Sequence, residues 1–212
     1  MNEYWDTRYQ AEGKIWGDSP SRTADYALKL FQANTVKSLL VPGSGYGRNT
    51  KLFSSSGISV TGVEISLAAC GMALEFDPLT RVYQTSVLDM SRLSRKFNAV
   101  YCFNVLHLFR EFDRKRFIRQ CLDRTKNKGL MFFTVFSEKE PTYGKGASVE
   151  PDTFESKPGR PVHYFSDADL KAHFSMTTIL ETGLMEDEEN HGEGPHTHIL
   201  RYIYVRANDK SQ

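Results

Sequence analysis

Short apolar runs alternate with stretches of mixed polarity along most of the chain. Apolar runs that end in turn residues are typical of strands buried on both faces. They lie at 36–41, 58–65, 80–88, 98–104, 130–136, 177–184 and 198–205. Apolar residues at helical spacing predict helices between them. These helices lie at 23–33, 49–55, 66–75, 113–125 and 166–174.

This alternation predicts an α/β fold with a doubly wound, mostly parallel sheet, because strands joined through helices form right-handed crossovers. The 212 residues suffice for a single domain, 1–212, with a substantial core. Residues 1–25 are polar and rich in aromatic side chains, and we expect them to form an arm. The pattern fails at 138–165, where proline and glycine are frequent. A long stretch without regular structure is typical of a disordered insert or an active-site lid, and we predict a lid.

The sharpest motif is the glycine-rich stretch from Gly43 to Gly47, between a predicted buried strand and a predicted helix. Glycine lets the backbone turn tightly and approach a ligand, and the following helix offers unpaired N–H groups. Glu64 ends the next strand, where a carboxylate can accept hydrogen bonds from both hydroxyls of a ribose. The two features together predict a nucleoside-containing cofactor, although Glu64 could also be a solvated strand end.

The spacing of the glycines distinguishes between cofactors. In loops that bind NAD the last glycine comes three residues after the second, whereas here Gly47 comes two residues after Gly45. The chain resembles the class I S-adenosylmethionine-dependent methyltransferases, and within them the branch that includes tellurite-resistance and thiopurine-type enzymes. The residues that carry the resemblance are Trp5-Asp6-x-Arg8-Tyr9, Trp16-Gly17, Gly43-x-Gly45-x-Gly47-Arg48-Asn49, Glu64 and Asn104-Val105-Leu106-His107.

The resemblance implies a Rossmann-like sheet of seven strands with an antiparallel last strand, and S-adenosyl-L-methionine as cofactor. One position departs from the family pattern. An acidic residue commonly stands two positions before the first glycine, where this chain has Val41. Pro42 also removes a backbone N–H there, so other groups must hold the methionine end of the cofactor.

The expected cofactor site draws on the arm, the glycine loop and three strand ends. In this fold the adenine lies beyond the third strand, where Asp89 could accept its amino group or cap a turn. Aromatic rings of the arm could cover the cationic sulfonium, or could simply pack on the sheet. Either Arg8 or Arg22 could meet the cofactor's carboxylate. The predicted cofactor-binding residues are Tyr9, Trp16, Gly43, Ser44, Gly45, Gly47, Asn49, Glu64, Ile65, Val87, Leu88, Asp89 and Asn104.

Methyl transfer from a sulfonium is an in-line displacement that needs alignment and exclusion of water, and needs a base only if the acceptor must lose a proton. The candidate catalytic residues are His107, Tyr143 and His191, on segments expected at the carboxyl edge of the sheet. His107 could instead pack beneath the cofactor. His196 and His198 share one face of a strand and with His191 resemble a metal site, but we expect no metal and interpret them as substrate-facing or hydrogen-bonded surface residues.

Charge and composition favour a small-molecule acceptor over a nucleic acid or a membrane. The 27 basic and 26 acidic residues leave a net charge of +1, and no Asn-Pro-Pro-Tyr-like motif occurs, so we expect no nucleic acid. No apolar run approaches the roughly 20 residues that span a bilayer, so we expect no membrane partner. The amino terminus lacks the regions of a signal peptide, and the three scattered cysteines suit a reducing cytosol. A cytoplasmic location is therefore expected, while the sequence does not indicate an oligomeric state.

Two other functions compete with methyl transfer. A Rossmann-type NAD-dependent oxidoreductase is disfavoured by the Gly45-to-Gly47 spacing and by the lack of a Tyr-x-x-x-Lys pair. A non-catalytic nucleotide-binding module would share the glycine loop.

Overall fold

The computed structural model describes residues 2–191 and 194–209, without the side chains of Asn2 and His191. Its helices are α1 (Asn2–Glu12), α2 (Arg22–Ala33), α3 (Arg48–Ser55), α4 (Leu67–Phe76), α5 (Glu111–Arg124) and α6 (Asp167–His173), with a 3₁₀ turn at Leu106–Leu108. Its strands are β1 (Ser38–Pro42), β2 (Ser59–Glu64), β3 (Arg81–Gln84), β4 (Phe97–Phe103), β5 (Thr125–Phe136), β6 (Ala147–Glu150), β7 (Thr153–Lys157), β8 (Arg160–His163), β9 (Thr177–His191) and β10 (Gly194–Ala207).

Seven strands form the main sheet in the order β3-β2-β1-β4-β5-β10-β9. The first five are parallel to one another, and β10 pairs antiparallel with both β5 and β9. The predicted doubly wound, seven-stranded sheet with an antiparallel last strand is therefore confirmed. The strand order reverses between β1 and β4, and open α/β sheets bind ligands at the carboxyl ends of strands at such a point.

The central strands are buried on both faces, as their unbroken apolar runs predict. Along β4, Val100 and Cys102 belong to one core cluster, whereas Ala99 and Tyr101 belong to a cluster on the opposite face. Side chains of successive strand residues point to opposite faces, so one short run supplies both cores. The helices on the two faces hold the carboxyl edge of this sheet rigidly in place.

The arm begins with α1, a helix that the sequence pattern does not mark. Asp6 attaches it to the sheet edge: its carboxylate accepts hydrogen bonds from Ser66 Oγ at 2.8 Å and Ala68 N at 2.9 Å. These hydrogen bonds lower the pKa of Asp6. The contact joins α1 to the first turn of α4, two residues beyond Glu64.

The segment 138–165 is not structureless, contrary to the sequence prediction. It contains a separate antiparallel sheet in the order β6-β7-β8. Pro161 lies in β8, an edge strand, where a missing N–H is tolerated. Pro151 and Pro158 lie in the turns between the strands. The prolines that indicated a loop thus occupy edge and turn positions of a small sheet.

The stretch 186–195 lies between the last two predicted strands and is polar, which predicts a loop, and this prediction is also wrong. The stretch continues β9 and β10 as a long hairpin, which pairs as far as His191 with Gly194. Asp187 and Glu189 are buried while Glu186, Glu188 and Asn190 are exposed. Alternate burial is typical of a strand. The sequence does not reveal it here, because the buried residues are charged instead of apolar.

Candidate active site

The glycine loop between β1 and α3 has a backbone that demands glycine. Gly43 and Gly45 have φ angles of +68° and +56°, in the left-handed region that other residues rarely adopt. A Cβ atom on Gly43 would lie 2.4 Å from Val105 Cγ2, and one on Gly45 would lie 2.9 Å from the hydroxyl of Tyr9. The loop also bonds to β2, because the N–H groups of Gly43 and Ser44 donate to Val63 O at 2.7 and 3.1 Å. Because glycine has no side chain, neighbouring groups come close to the loop backbone, and a ligand could come equally close.

Glu64 ends β2 and is buried beside this loop, with 5% of its surface exposed. One carboxylate oxygen accepts hydrogen bonds from Ile65 N and Ser66 N, both at 2.8 Å, and the other accepts one from Gly45 N at 2.9 Å. Burial raises the pKa of Glu64, although the three N–H donors act in the opposite direction. A carboxylate has about four lone-pair positions. Three are used here, so Glu64 can hold the loop and still accept one hydrogen bond from a ligand hydroxyl.

A cavity of about 370 Å³ lies at the point where the strand order reverses. Small-molecule sites usually occupy roughly 300–1,000 Å³. The cavity lining includes the glycine loop, Glu64 and the residues after β3, which we call the first end, and the 3₁₀ turn, the end of β5, strand β8 and the β9–β10 hairpin, which we call the second end. Its volume and position suit a nucleoside cofactor at the first end and a second small molecule at the other.

Aromatic rings cover the first end of the cavity. Trp5, Tyr9, Trp16 and Tyr46 all line it, and Trp16 stacks on Tyr46 with ring centres 6.4 Å apart and planes 9° apart. The Arg8 guanidinium lies 5.6 Å from the Trp16 ring centre. An aromatic face attracts a cation such as a sulfonium. The cover can therefore both exclude water and stabilise a cationic cofactor.

Arg48 connects the arm to the hairpin across the cavity. Its guanidinium donates to Trp16 O at 3.2 Å and to Glu189 Oε1 at 3.0 Å, and it lies 5.3 Å from the Phe103 ring centre. The side chains of Arg48 and Glu189 are both largely buried. Arg48 stands out in the sequence only as part of the loop motif, and Glu189 does not stand out at all, because its segment is polar and predicts a loop.

His107 and His198 stack on Phe136 in the second half of the cavity, with ring centres 4.2 and 4.8 Å from that of Phe136. Burial, together with the nearby charges of His198 and His163, lowers the pKa of His107 to about 3. Its Nδ1 accepts a hydrogen bond from Phe136 N at 3.3 Å. His107 is therefore a neutral, weakly basic group and is unsuited to accepting a proton.

The pKa of His198 shifts in the opposite direction. Its Nδ1 lies 2.5 Å from Glu140 Oε1 and its Nε2 lies 3.7 Å from Glu189 Oε2. Burial alone would lower its pKa, but the hydrogen bond to Glu140 and the charges of Glu140 and Glu189 raise it overall. Of the two sequence-based interpretations of His198, substrate-facing or hydrogen-bonded at the surface, its place in the cavity lining agrees with the first.

The structure brings most of the sequence-predicted site residues to one cavity. Those that line it are Tyr9, Trp16, Gly43, Ser44, Gly45, Asn49, Glu64, Ile65, Val87, Leu88, Asn104 and His107. Arg8 lines it as well, whereas Arg22 lies by a neighbouring pocket. Lining residues that sequence reasoning overlooked include Trp5, Tyr46, Phe103, Phe136 and Val162.

Four predicted residues do not join them. Gly47 begins α3 as its N-cap residue and lies outside the lining. Asp89 is exposed, and its carboxylate accepts a hydrogen bond from Ser91 N at 3.1 Å, which is the turn-capping alternative. Tyr143 is 42% exposed, and its hydroxyl donates to Asp152 at 2.7 Å. The side chain of His191 lies outside the described residues.

Comparisons with known proteins agree with this geometry. Residues 40–133 match the family model described as a methyltransferase domain. No curated protein sequence matches the chain. In the described residues, no helix combines the length and the apolar character that crossing a membrane requires.

Several solved structures share the fold over nearly the whole chain. One comes from work on the conversion of a disulfide bond into a thioacetal group during echinomycin biosynthesis; it has a TM-score of 0.80 and 16% identity over 100% of this chain and 93% of that one. Another is the 1,6-didemethyltoxoflavin-N1-methyltransferase of Burkholderia thailandensis with bound 1,6-didemethyltoxoflavin and S-adenosylhomocysteine, at a TM-score of 0.72 and 16% identity over 98% and 87%. A third is TehB from Haemophilus influenzae, at a TM-score of 0.66 and 12% identity over 87% and 62%.

Proposed function

We propose that the chain is a class I S-adenosylmethionine-dependent methyltransferase and that it moves the methyl group of this cofactor to a nucleophilic atom of a small-molecule acceptor. The observation that carries this proposal is the single cavity, which runs from the glycine loop and Glu64 to the side chains of His107, Phe136 and Arg160. A cofactor at the first end would present its methyl group towards the second. The acceptor would then bind in line with the bond that breaks.

The residues of the cofactor end fit S-adenosylmethionine. Glu64 retains one lone-pair position for a ribose hydroxyl, and the loop backbone at Gly43 and Gly45 has no side chain to block the ligand. Trp16 and Tyr9 would lie near the sulfonium. Val41, which replaces the usual acidic residue, is buried in the core and is not among the residues that line the cavity. The bound cofactor supplies an activated methyl group.

The protein's own contribution to the reaction is alignment and exclusion of water. The aromatic cover closes one end of the cavity, and Phe136 with Val162 gives the other end apolar walls. The lowered pKa of buried His107 makes it a poor proton acceptor. An acceptor atom that attacks as an anion or through a neutral lone pair, as a thiolate or a metalloid oxyanion does, needs no base and so fits this site best.

Charge at the acceptor end favours an anionic small molecule. Arg160 lines this end, and its guanidinium lies 3.6 Å from the centre of the Tyr4 ring. The likeness to TehB supports the resemblance to the tellurite-resistance branch, but the likeness to the toxoflavin enzyme is at least as close. The fold therefore does not select among acceptors, and the residues of the second end must do so.

We also propose that residues 1–25 cover the cofactor and that residues 138–165 act as a lid over the acceptor. Trp5, Tyr9 and Trp16 of the arm line the cavity, as do Arg160 and Val162 of β8. Both segments therefore form part of the cavity wall, and a ligand would enter beside them. An arm and a lid that open separately would let the two substrates enter independently.

Titration calorimetry with S-adenosylmethionine, S-adenosylhomocysteine and NAD tests the cofactor end. Glu64→Gln should weaken the binding of both adenosyl compounds by on the order of 10- to 100-fold, since one lost hydrogen bond to a charged group is worth about 1.5–3 kcal/mol. Glu75→Gln, which removes an exposed carboxylate from α4, should bind as the wild type does. Equal affinity for NAD, or no binding of either adenosyl compound, would overturn the assignment.

A turnover assay tests the acceptor. Thiols, metalloid oxyanions, amines and an oligonucleotide are offered in turn, with labelled S-adenosylmethionine as the methyl donor. We expect label in a small thiol or oxyanion. Transfer to the oligonucleotide alone would refute the proposed acceptor class.

A further inference from the structure

Three ligand-type side chains meet where the β9–β10 hairpin reaches the cavity. His196 and His198 are two residues apart on β10 and share one face, and Glu189 is the cross-strand partner of His196 on β9. His196 Nε2 lies 3.1 Å from His198 Nε2, and His198 Nε2 lies 3.7 Å from Glu189 Oε2. One nitrogen from each histidine and one oxygen from Glu189 all lie within 4.8 Å of one another.

Hydrogen bonds on the far side of each imidazole fix its tautomer. His196 Nδ1 lies 2.9 Å from Gly194 O, and a carbonyl oxygen can only accept, so Nδ1 carries the proton. His198 Nδ1 faces the Glu140 carboxylate, whose other oxygen accepts from Ile199 N at 2.7 Å, so this Nδ1 is also the donor. When both rings are neutral, their Nε2 atoms direct lone pairs at each other. A cation between the two nitrogens, either a proton or a metal ion, stabilises such a pair.

The surroundings supply the supporting contacts that a bound metal ion needs. Histidines that bind metals almost always donate their other N–H to a carboxylate or a backbone carbonyl, and here His198 and His196 show one case of each. The carboxylate of Glu189 is itself held, because its other oxygen accepts from Arg48. Two nitrogens bound about 2.0–2.1 Å from a tetrahedral Zn²⁺ lie roughly 3.3 Å apart, close to the distance between the two Nε2 atoms.

We infer that Glu189, His196 and His198 bind one divalent first-row transition-metal ion, with Zn²⁺ as the reference case. Two nitrogens and one carboxylate oxygen form a three-ligand set that leaves a coordination position open. Glu189 and His198 line the cavity, so an ion that they held would lie at the cavity wall. The ion would hold the anionic atom of the acceptor, a role that rests on the proposed function, whereas metal binding itself does not.

The test uses His196→Ala with Thr197→Ala as its matched control. His196 lies outside the cavity lining, so its loss leaves the cofactor site intact. Thr197 is the exposed residue between the two histidines on the same strand. Each protein is freed of metal by chelation and titrated with Zn²⁺ in a calorimeter. Visible absorption after addition of Co²⁺ reports ligand number independently of activity.

Wild type and Thr197→Ala should bind one Zn²⁺ and give intense Co²⁺ bands. His196→Ala should bind Zn²⁺ on the order of 100-fold more weakly, because even residues behind the ligands contribute 10- to 100-fold. If His196→Ala does not fold, Glu140→Gln supplies the second variant, with an expected loss of about 10- to 100-fold. Absence of saturable Zn²⁺ binding by the wild type, or equal binding by the wild type and the folded variant, would overturn the inference.

Binding of S-adenosylmethionine is measured on the same samples so that the two proposals can fail separately. Cofactor binding and methyl transfer without Zn²⁺ binding would remove the metal site and leave the proposed function. Zn²⁺ binding without transfer to any small acceptor would remove the proposed function and leave the metal site.

Discussion

Substituting Gly45 by alanine tests whether the loop and the arm are in contact. Gly45 has a φ angle of +56°, and a Cβ atom there would lie 2.9 Å from the Tyr9 hydroxyl oxygen. The left-handed backbone costs a residue with a Cβ about 1–2 kcal/mol. The close contact adds a second cost, because Tyr9 is buried and cannot move freely. Overpacking of this kind costs about 1–3 kcal/mol.

Gly57→Ala separates the two costs. Gly57 also has a positive φ angle, +82°, but no heavy atom lies within 4 Å of its expected Cβ. The free energy of unfolding of Gly57→Ala should therefore fall only by the backbone cost of about 1–2 kcal/mol. Removing the Tyr9 hydroxyl should relieve the close contact in Gly45→Ala, because the next nearest atom to the Gly45 Cβ is Tyr9 Cζ at 3.8 Å. We expect Tyr9→Phe/Gly45→Ala to recover about 1–3 kcal/mol relative to the sum of its single substitutions.

The assay is urea unfolding of the four variants and the wild type without cofactor. For a domain of this size a loss of 1 kcal/mol lowers the melting temperature by roughly 2–4 °C, which gives a second readout. Gly45→Ala should be the least stable single variant of the set. Two results would refute the reasoning: equal losses in Gly45→Ala and Gly57→Ala, or no coupling between Gly45→Ala and Tyr9→Phe.

Three further substitutions test the site and the fold. Trp16→Leu should weaken S-adenosylmethionine binding about 2- to 30-fold more than S-adenosylhomocysteine binding, because only the former is cationic; equal losses in calorimetry would indicate packing alone. His107→Gln should retain methyl transfer within about tenfold, whereas a drop of 10²–10⁴ in turnover would show that His107 acts as a base. Hydrogen bonds from His163 and His173 outweigh burial and hold the pKa of Asp169 well below its usual 3.8. Ionised Asp169 therefore stabilises the fold above that value and loses its contribution as the pH falls through its lowered pKa. Asp169→Asn should lower the free energy of unfolding at neutral pH and differ less from the wild type in acid; a constant difference across the pH range would contradict this.

The cofactor half of the site could be predicted because its signals are local. The glycine loop follows β1 directly, and Glu64 ends the next strand. In a parallel sheet the carboxyl ends of neighbouring strands meet at one edge, so the spacing along the chain already implies proximity. The apolar runs of β1, β2, β4 and β5 are buried on both faces, which makes them readable without any knowledge of their partners.

Elements stabilised by contacts rather than by their own pattern were harder to predict. Helix α1 has no apolar stripe, and Asp6 anchors it through hydrogen bonds to α4. The strands β6, β7 and β8 are four or five residues long and have prolines at their edges and turns. Such strands are stable only as part of a sheet, so a window of sequence does not reveal them.

The side chains of the β9–β10 hairpin at the site are brought together by the pairing register of the two strands, which the sequence alone does not give. The alternation of His196 and His198 shows that two imidazoles share a face, but the carboxylate opposite them depends on how β9 pairs with β10. Glu189 faces His196 in the observed register. A shift by one residue would bring Glu188 opposite His196 and turn the whole strand over. The pairing is fixed over residues 177–207, with an irregularity at Tyr204 and Val205, far from the site itself. The position of Glu189 beside the two imidazoles is thus set by pairing along the entire hairpin and not by the residues of the site alone.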